Sequence, residues 1–469
     1  MPSLHSNLDP TWAWTAFAPS AKSPWSAKLA AHLYRRGGFG AATAEIESAV
    51  KQGLNATLDR LFTPPSVAAD ATKKDSDFAT DPAQFESQMS TLGSTMMATG
   101  NPQSLSSYWL FRMLFTPDQL LEKTTLFWHG HFATSAAKID NARLMLQHGD
   151  LLRKHALGKF APFVQAISRD PAMLLWLDAA TNRKIRPNEN YARELMELFC
   201  LGVGHYTEND IKEVARAFTG WEVVRDEFRF NKFQHDEGSK TFLGKTGNFN
   251  GDDAVKVVLE QPAAARFIAR KLVKYFIADE PEFEDAIIEP LAVQLRENGF
   301  EIRPVLRRML SSNLFFSEHS IGRMIKSPVS LAIGMLRALE GTTNMNQVAQ
   351  ALQRLGQAVF YPPNVKGWDG GRTWINSSTL LNRANMVRGA LDLKESSFAG
   401  GKLEGLADKH GKTSAESVVD WLLMLLVAVD VPREVRERLI KVAGAGGDRS
   451  RAIGNTIHAI SALPEFQLA

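Results

Sequence analysis

The chain has 469 residues, 44% hydrophobic and 22% charged, a globular balance that excludes a wholly disordered chain, a collagen-like chain and a simple coiled coil. Its 54 Lys and Arg against 51 Asp and Glu leave a net charge of +3, too weak a bias to support nucleic-acid binding by bulk charge. No apolar run approaches the roughly 20 residues that span a bilayer, and the single cysteine, Cys200, excludes an internal disulfide and a cysteine zinc cage.

The N-terminal stretch lacks a basic segment followed by an apolar one, so the sequence as written predicts a cytoplasmic protein; a start further upstream would instead allow export. Helical periodicity then dominates. It predicts helices over Trp25–Arg36, stopped by Gly37-Gly38, and over Thr43–Phe62, stopped by Pro64-Pro65. Residues 66–104 are poor in Leu, Ile and Val and read as a mobile insertion or a loosely attached helical arm. Further helices are predicted over Leu105–Phe115, Asp118–Trp128, Lys138–Leu157, Phe160–Ser168, Asn188–Leu201 and Thr207–Thr219. Trp221–Arg225 and Glu227–Phe233 form the one clear strand signal, a β-hairpin. Helical patterns return from Asp252 and run, with a Pro/Gly/Trp loop at Tyr361–Arg372, to Leu463. The expected fold is mainly α, one large multi-helical assembly with one small hairpin. Its expected parts are N-terminal helices (1–65), the polar insertion (66–104), a main helical domain (105–320) and a C-terminal helical region packed on it (321–469).

Four polar constellations stand out. In Phe127-Trp128-His129-Gly130-His131-Phe132, residues two apart on a helix point about 200° apart, whereas in extended backbone they share a face. A helix ending at Gly130 would turn both imidazoles into one pocket, as metal ligands or acid/base groups; two satisfied residues at a helix C-terminus are the structural alternative. In Pro187–Phe199, Asn188 is a good N-cap, and Asn190, Glu194 and Glu197 share one face, with Arg193 placed to pair with Glu197. Such a carboxylate face suits a metal site or an ordinary solvated helix. His235-Asp236-Glu237 with Lys240 follows the hairpin on a Gly-containing loop, as a reactive cluster or a polar connector. Tyr361–Trp374 carries Trp368, Arg372 and Trp374, which would contact a ligand by stacking or plug a gap between helices. Arg35-Arg36-Gly37-Gly38-Phe39-Gly40 could cradle an anion, but it lacks the phosphate-loop ending, and a glycine C-cap explains it. Cys200 lies among Leu and Phe and reads as packed.

His32-Leu33-x-Arg35-Arg36-x-Gly38-Phe39-Gly40, the Trp128–Phe132 segment, Pro187–Gly202 with Tyr206-Thr207-x-x-Asp210, Ala215–Trp221, His235-Asp236 with Lys240, and Pro362–Trp368 together resemble one bacterial family, domain of unknown function 1800. The match runs from about His32 to Arg383. The resemblance implies no established activity. It implies that relatives are often exported and often encoded beside a second uncharacterised family resembling sulfatases or phosphatases, a candidate partner. This chain departs from the pattern in lacking an export signal and in having Gly130 where relatives often carry Asn.

Two functions are therefore expected. One is a metal-binding or acid/base, hydrolase-like enzyme, with His235, Asp236, Glu194 and Asn190 as catalytic groups and His129, His131 and Glu194 as ligands of a divalent transition metal. The alternative is a non-catalytic helical module that binds a partner protein or glycan through Trp368, Arg372 and Trp374.

Overall fold

The computed structural model describes residues 8–63 and 82–469. Among these, 24 α-helices and three two-stranded antiparallel sheets form a mainly α protein, as the periodicity predicts. No helix among the described residues is long and apolar enough to cross a membrane.

Local chemistry accounts for several boundaries that differ from expectation. The Thr43–Phe62 pattern is two helices, Thr43–Gln52 and Leu54–Phe62, because Gly53 at φ 87° breaks the hydrogen-bond ladder. Part of the 66–104 segment is a helix, Pro82–Ala98, as in the helical-arm alternative, and it buries Phe85 and Met89 despite its low apolar content; residues 66–81 of that segment lie outside the described residues. The hairpin pairs Trp221 with Phe230 and Val224 with Glu227. Its turn residues Arg225 and Asp226 both have positive φ (53° and 64°), the geometry that matches strand twist. Arg143 (2.8 Å) and Asn141 (3.2 Å) donate to Asp226 and hold that turn. Two sheets escaped the sequence reading, Lys240–Phe242 with Lys245–Gly247 and Gly341–Thr342 with Ser397–Phe398, because strands of two or three residues carry no readable alternation.

The apolar side chains gather into two cores. One centres on Trp128, Phe132, Phe160, Phe163 and Phe199. The other centres on Trp109, Leu336, Leu352, Trp421 and Ile457, so it joins segments that are far apart in sequence. The helix Gln119–His131 feeds both, giving Phe127 and Trp128 to the first and Leu126 to the second. Of its 13 residues only Leu121 and Gly130 are not buried.

Burying that helix buries Glu122 completely. Its carboxylate accepts from Trp109 Nε1 (2.8 Å), from Arg153 Nε (2.7 Å) and from Arg112 Nε. Arg112 also pairs with Glu86 and so ties the Pro82–Ala98 helix to the network. Burial pushes the Glu122 carboxyl up, but Arg153 and Arg112 outweigh it and hold the group at about 2. A depressed carboxyl stabilises the fold above its unfolded value, and that stability is lost as pH falls through the folded value. Glu122→Gln should therefore cost about 3–5 kcal/mol in urea unfolding at pH 7, because two buried guanidinium groups lose their counter-charge. The difference from wild type should shrink as pH is lowered from 5 toward 2.

Candidate functional site

The central helix does not end at Gly130. It continues through His131, with Phe132 N–H donating to Trp128 O at 2.8 Å. His129 and His131 therefore point to different sides of the helix rather than into one pocket. Both are buried, and their bonds fix their tautomers. His129 Nε2 accepts from Phe360 N–H (3.0 Å), which puts its proton on Nδ1. Its ring lies against Trp109, Phe360 and Trp368, and burial, with His148 adding, pushes it down to about 3. His131 Nε2 donates to Phe199 O (3.0 Å), so its Nδ1 is free to accept from Lys271 Nζ (3.0 Å). Burial and the nearby Lys271 hold His131 well below the ordinary imidazole value.

The other sequence candidates are placed apart. His235 donates from Nδ1 to Thr219 O (2.9 Å), and Asp236 pairs with Arg216 (2.7 Å). Lys240, fully buried, donates to the Asp236 and Gly238 carbonyls (2.6 and 3.0 Å) and staples that loop. His235 and Asp236 face a surface depression beside the exposed Ile185 and Phe233. Asn190 is exposed and Glu194 partly exposed, in a short helix that passes at Leu195 into a π-helical turn. Arg193 pairs with Glu208 (2.8 Å) and Glu189 (3.4 Å) rather than with Glu197, which accepts from Tyr206 OH (2.8 Å). The expected metal set of His129, His131 and Glu194 is not assembled: among the described residues, no group of three or more His, Cys, Asp or Glu side chains is placed to hold a metal ion. Cys200 is packed in the core, and burial pushes its thiol up.

His131 opens instead on a cavity of about 520 Å³, lined by residues of both cores. The Tyr361–Trp374 loop forms one wall, with Trp368, Arg372 and Trp374 all lining it. That loop lies directly on the central helix. Gly367, at φ +82°, would place a Cβ 2.2 Å from the Gly130 carbonyl oxygen, so only glycine allows this approach. On the other side, Gly40 and Gly334 make a similar crossing: a Cβ on Gly334 would lie 2.5 Å from Phe39 O. The helix Ala27–Gly37 does end in a glycine cap, as the sequence suggested. Its Arg35 and Arg36, however, are buried in the cavity wall.

The cavity's charge is its distinguishing property. Arg35, Arg36, Lys123, Lys271 and Lys326 line it, and among the described residues none of the five forms an ion pair with an Asp or Glu side chain. At the rim, Glu280 and Asp369 are paired with Arg372 and Lys366. Asp279 supports Arg36 through space without bonding to it. Backbone carbonyls hold the cations instead. Arg36 donates to Ile277 O (2.7 Å) and Arg35 to Leu425 O (3.3 Å); Arg36 also donates to an oxygen of Ala469, the last residue of the sequence, which is a carboxylate oxygen in the chain as given (3.1 Å). Lys326 donates to Phe466 O (2.7 Å) and Leu426 O (2.9 Å), and Lys271 to Leu198 O (3.0 Å). The Nε atoms of Arg35 and Arg36 are buried with no partner. Lys123 Nζ bonds to a hydroxyl alone, Ser330 Oγ (2.9 Å), between the Phe39 and Tyr275 rings.

Burial lowers the proton affinity of all five. Lys123 is pushed down to about 7, with Arg36 adding to the effect. Lys271 falls to about 8 and Arg35 and Arg36 to about 10, while Lys326 lies well below the ordinary ammonium value. The sequence reading noticed Arg35 and Arg36 but missed the lysines. A signal was present: Lys123 and Lys271 sit in apolar helical stretches with no Asp or Glu three or four residues away on either side.

The chain belongs to the family described as "Protein of unknown function (DUF1800)", whose pattern matches residues 32–468. No curated protein and no solved structure matches it.

Two outcomes follow from this geometry. Gly367→Ala should lower stability by about 1–3 kcal/mol in urea unfolding, since the loop must lift from Gly130 or adopt strained backbone. The second concerns pH. A lysine whose folded value is lowered binds fewer protons in the folded than in the unfolded chain, from about pH 7 for Lys123 to the ordinary value of about 10.4. That contribution to stability rises with pH across this window. Lys123→Met should reduce the rise in melting temperature between pH 7 and 9.5 without abolishing it, because Lys271 acts with the same sign from about 8.

Proposed function

We propose that the chain binds an organic anion, with an apolar or aromatic body and a phosphoryl, sulfuryl or carboxylate group, in the cavity between the central helix and the Tyr361–Trp374 loop, and acts on it by acid/base chemistry. The observation that carries this reading is the set of cations lining the cavity that pair with no Asp or Glu side chain. Burying a charge without a counter-charge is costly, and a bound anion would repay that cost. Phe39, Phe127, Tyr275, Trp368 and Trp374 give the same cavity an apolar lining suited to the body of the ligand.

The acid/base part rests on the Lys271–His131 contact and on Lys123. A neutral His131 accepting from Lys271 holds that amine in place, and amines lowered toward 7 or 8 match the range in which general acids and bases work. A hydrolase-like reaction on an ester of such an anion fits this set of groups without a metal ligand set. His235, Asp236, Glu194 and Asn190 take no part in this reading.

The test is thermal denaturation with phenyl phosphate, phenyl sulfate, benzoate and the neutral benzyl alcohol. At least one anion should raise the melting temperature, the alcohol should not, and Arg35→Met should weaken the binding about 10–100-fold, the worth of one charge-assisted hydrogen bond. A glycan ligand at the Trp368 rim would show the opposite pattern, with stabilisation by neutral oligosaccharides and none by small anions.

A further inference from the structure

Lys123, Lys271 and Lys326, three of the five lysines lining the cavity, are not equivalent, and their hydrogen bonds separate them. Lys326 gives two N–H groups to the Leu426 and Phe466 carbonyls, at 2.9 and 2.7 Å. Lys271 gives two, to Leu198 O and His131 Nδ1, both at 3.0 Å. Each of these two nitrogens is therefore tied to the fold by two donor bonds. Lys123 gives one, to the Ser330 hydroxyl at 2.9 Å. The other faces of its Nζ meet the Phe39 and Tyr275 rings and the cavity. The charged group nearest in effect is a cation, Arg36. Tyr275, on the Pro262–Phe276 helix, presents its ring, and its hydroxyl is turned to Lys123 O (3.4 Å). No carboxylate pairs with Lys123 among the described residues. An enclosed amine with an apolar surround, a cationic neighbour and a hydroxyl at hydrogen-bond distance is the arrangement that makes lysine a nucleophile rather than a counter-ion.

We propose that Lys123 is a nucleophilic amine that forms an imine with an anionic carbonyl compound, an oxo acid or a phosphorylated or sulfated aldehyde or ketone, held by Arg35 and Arg36. This rests on the anion-binding reading of the cavity and narrows its substrate class. In the step, the lone pair of neutral Nζ attacks the carbonyl carbon and the C=O π pair moves to oxygen. One Nζ proton is transferred, through the Ser330 hydroxyl, to that oxygen. The carbinolamine then expels its oxygen as water as the second Nζ proton leaves. Amine and carbonyl give imine and water, with no oxidant or reductant. Burial and Arg36 keep the amine sufficiently deprotonated near neutral pH for the attack.

The test is reductive trapping of the full chain with glyoxylate and cyanoborohydride at pH 7, read by peptide mass mapping. Exposed lysines titrate near 10.4 and are almost wholly protonated at this pH, so Lys123 should be alkylated about tenfold faster than they are, or more. Lys271 and Lys326 should lag, because each nitrogen is held by two hydrogen bonds, Lys326 by two carbonyls and Lys271 by Leu198 O and His131 Nδ1. Excess phenyl phosphate should slow labelling at Lys123 alone, and propionaldehyde, which lacks the anionic group, should lose the preference. Adducts spread over the exposed lysines, with Lys123 no faster, would overturn the imine assignment. If phenyl phosphate still raised the melting temperature in that case, the anion-binding reading would stand without it; if neither response appeared, both would fall. Equal labelling of Lys123, Lys271 and Lys326 would also count against Lys123 as the nucleophile, since burial alone would then explain reactivity.

Discussion

A helix with almost no face toward water has to satisfy every polar side chain it carries from inside the protein, and the arrangement around Gln119–His131 follows from that constraint. Successive polar residues solve it in different ways. Glu122 is met by two arginines and a tryptophan. His129 takes a backbone N–H from the Tyr361–Trp374 side, and His131 is held between a carbonyl and Lys271. Lys123 has the least complete solution, and it lines the cavity together with His131. The same helix that anchors both cores therefore delivers the group with the greatest unmet bonding capacity to the enclosed space between them.

How much of this was legible depends on the range of the interaction concerned. The helices follow from three- and four-residue spacing, and most are found within a few residues of their expected ends. The Trp221–Phe230 hairpin is likewise local, set by alternation and a tight turn. The two histidines show where local reading stops. A glycine between them predicts a helix end, yet the helix carries on, because packing of Trp128 and Phe132 in the core rewards the extra turn. One residue of further helix reverses the expectation that both imidazoles share a pocket. The Asn190–Glu197 face failed for a related reason. Arg193 found Glu208 across a turn of chain, a partner no i, i+4 rule could nominate.

The cavity itself was half legible. Arg35-Arg36 and the Trp368–Trp374 loop were each noticed, and each had a structural explanation that proved correct as far as it went. Gly37-Gly38 does close a helix, and Trp374 is buried. What the sequence could not convey is that these two segments, 330 residues apart, form walls of one space, an arrangement fixed by the close contacts at Gly367 and Gly334. A structural role and a lining role are not alternatives for the same residue. The loop plugs the gap between helices and, by doing so, encloses the cavity.

The way the cations are held explains why the space stays positive. Ile277 caps the Pro262–Phe276 helix, and Leu425 and Leu426 end the Ala415–Leu426 helix. Their carbonyls point past the end of a hydrogen-bond ladder and carry the partial negative charge of a helix C-terminus, roughly half a charge shared over the last turn. Such carbonyls can orient an arginine or a lysine as firmly as a carboxylate would, but they cancel only part of its charge. Carboxylates in the same places would have neutralised the cations and left nothing for a ligand to do. With carbonyls, Arg35, Arg36 and Lys326 are fixed in position by the fold and still short of counter-charge. A wall so preorganised favours an anion that brings its own charge, because no side chain has to be displaced or reoriented to receive it.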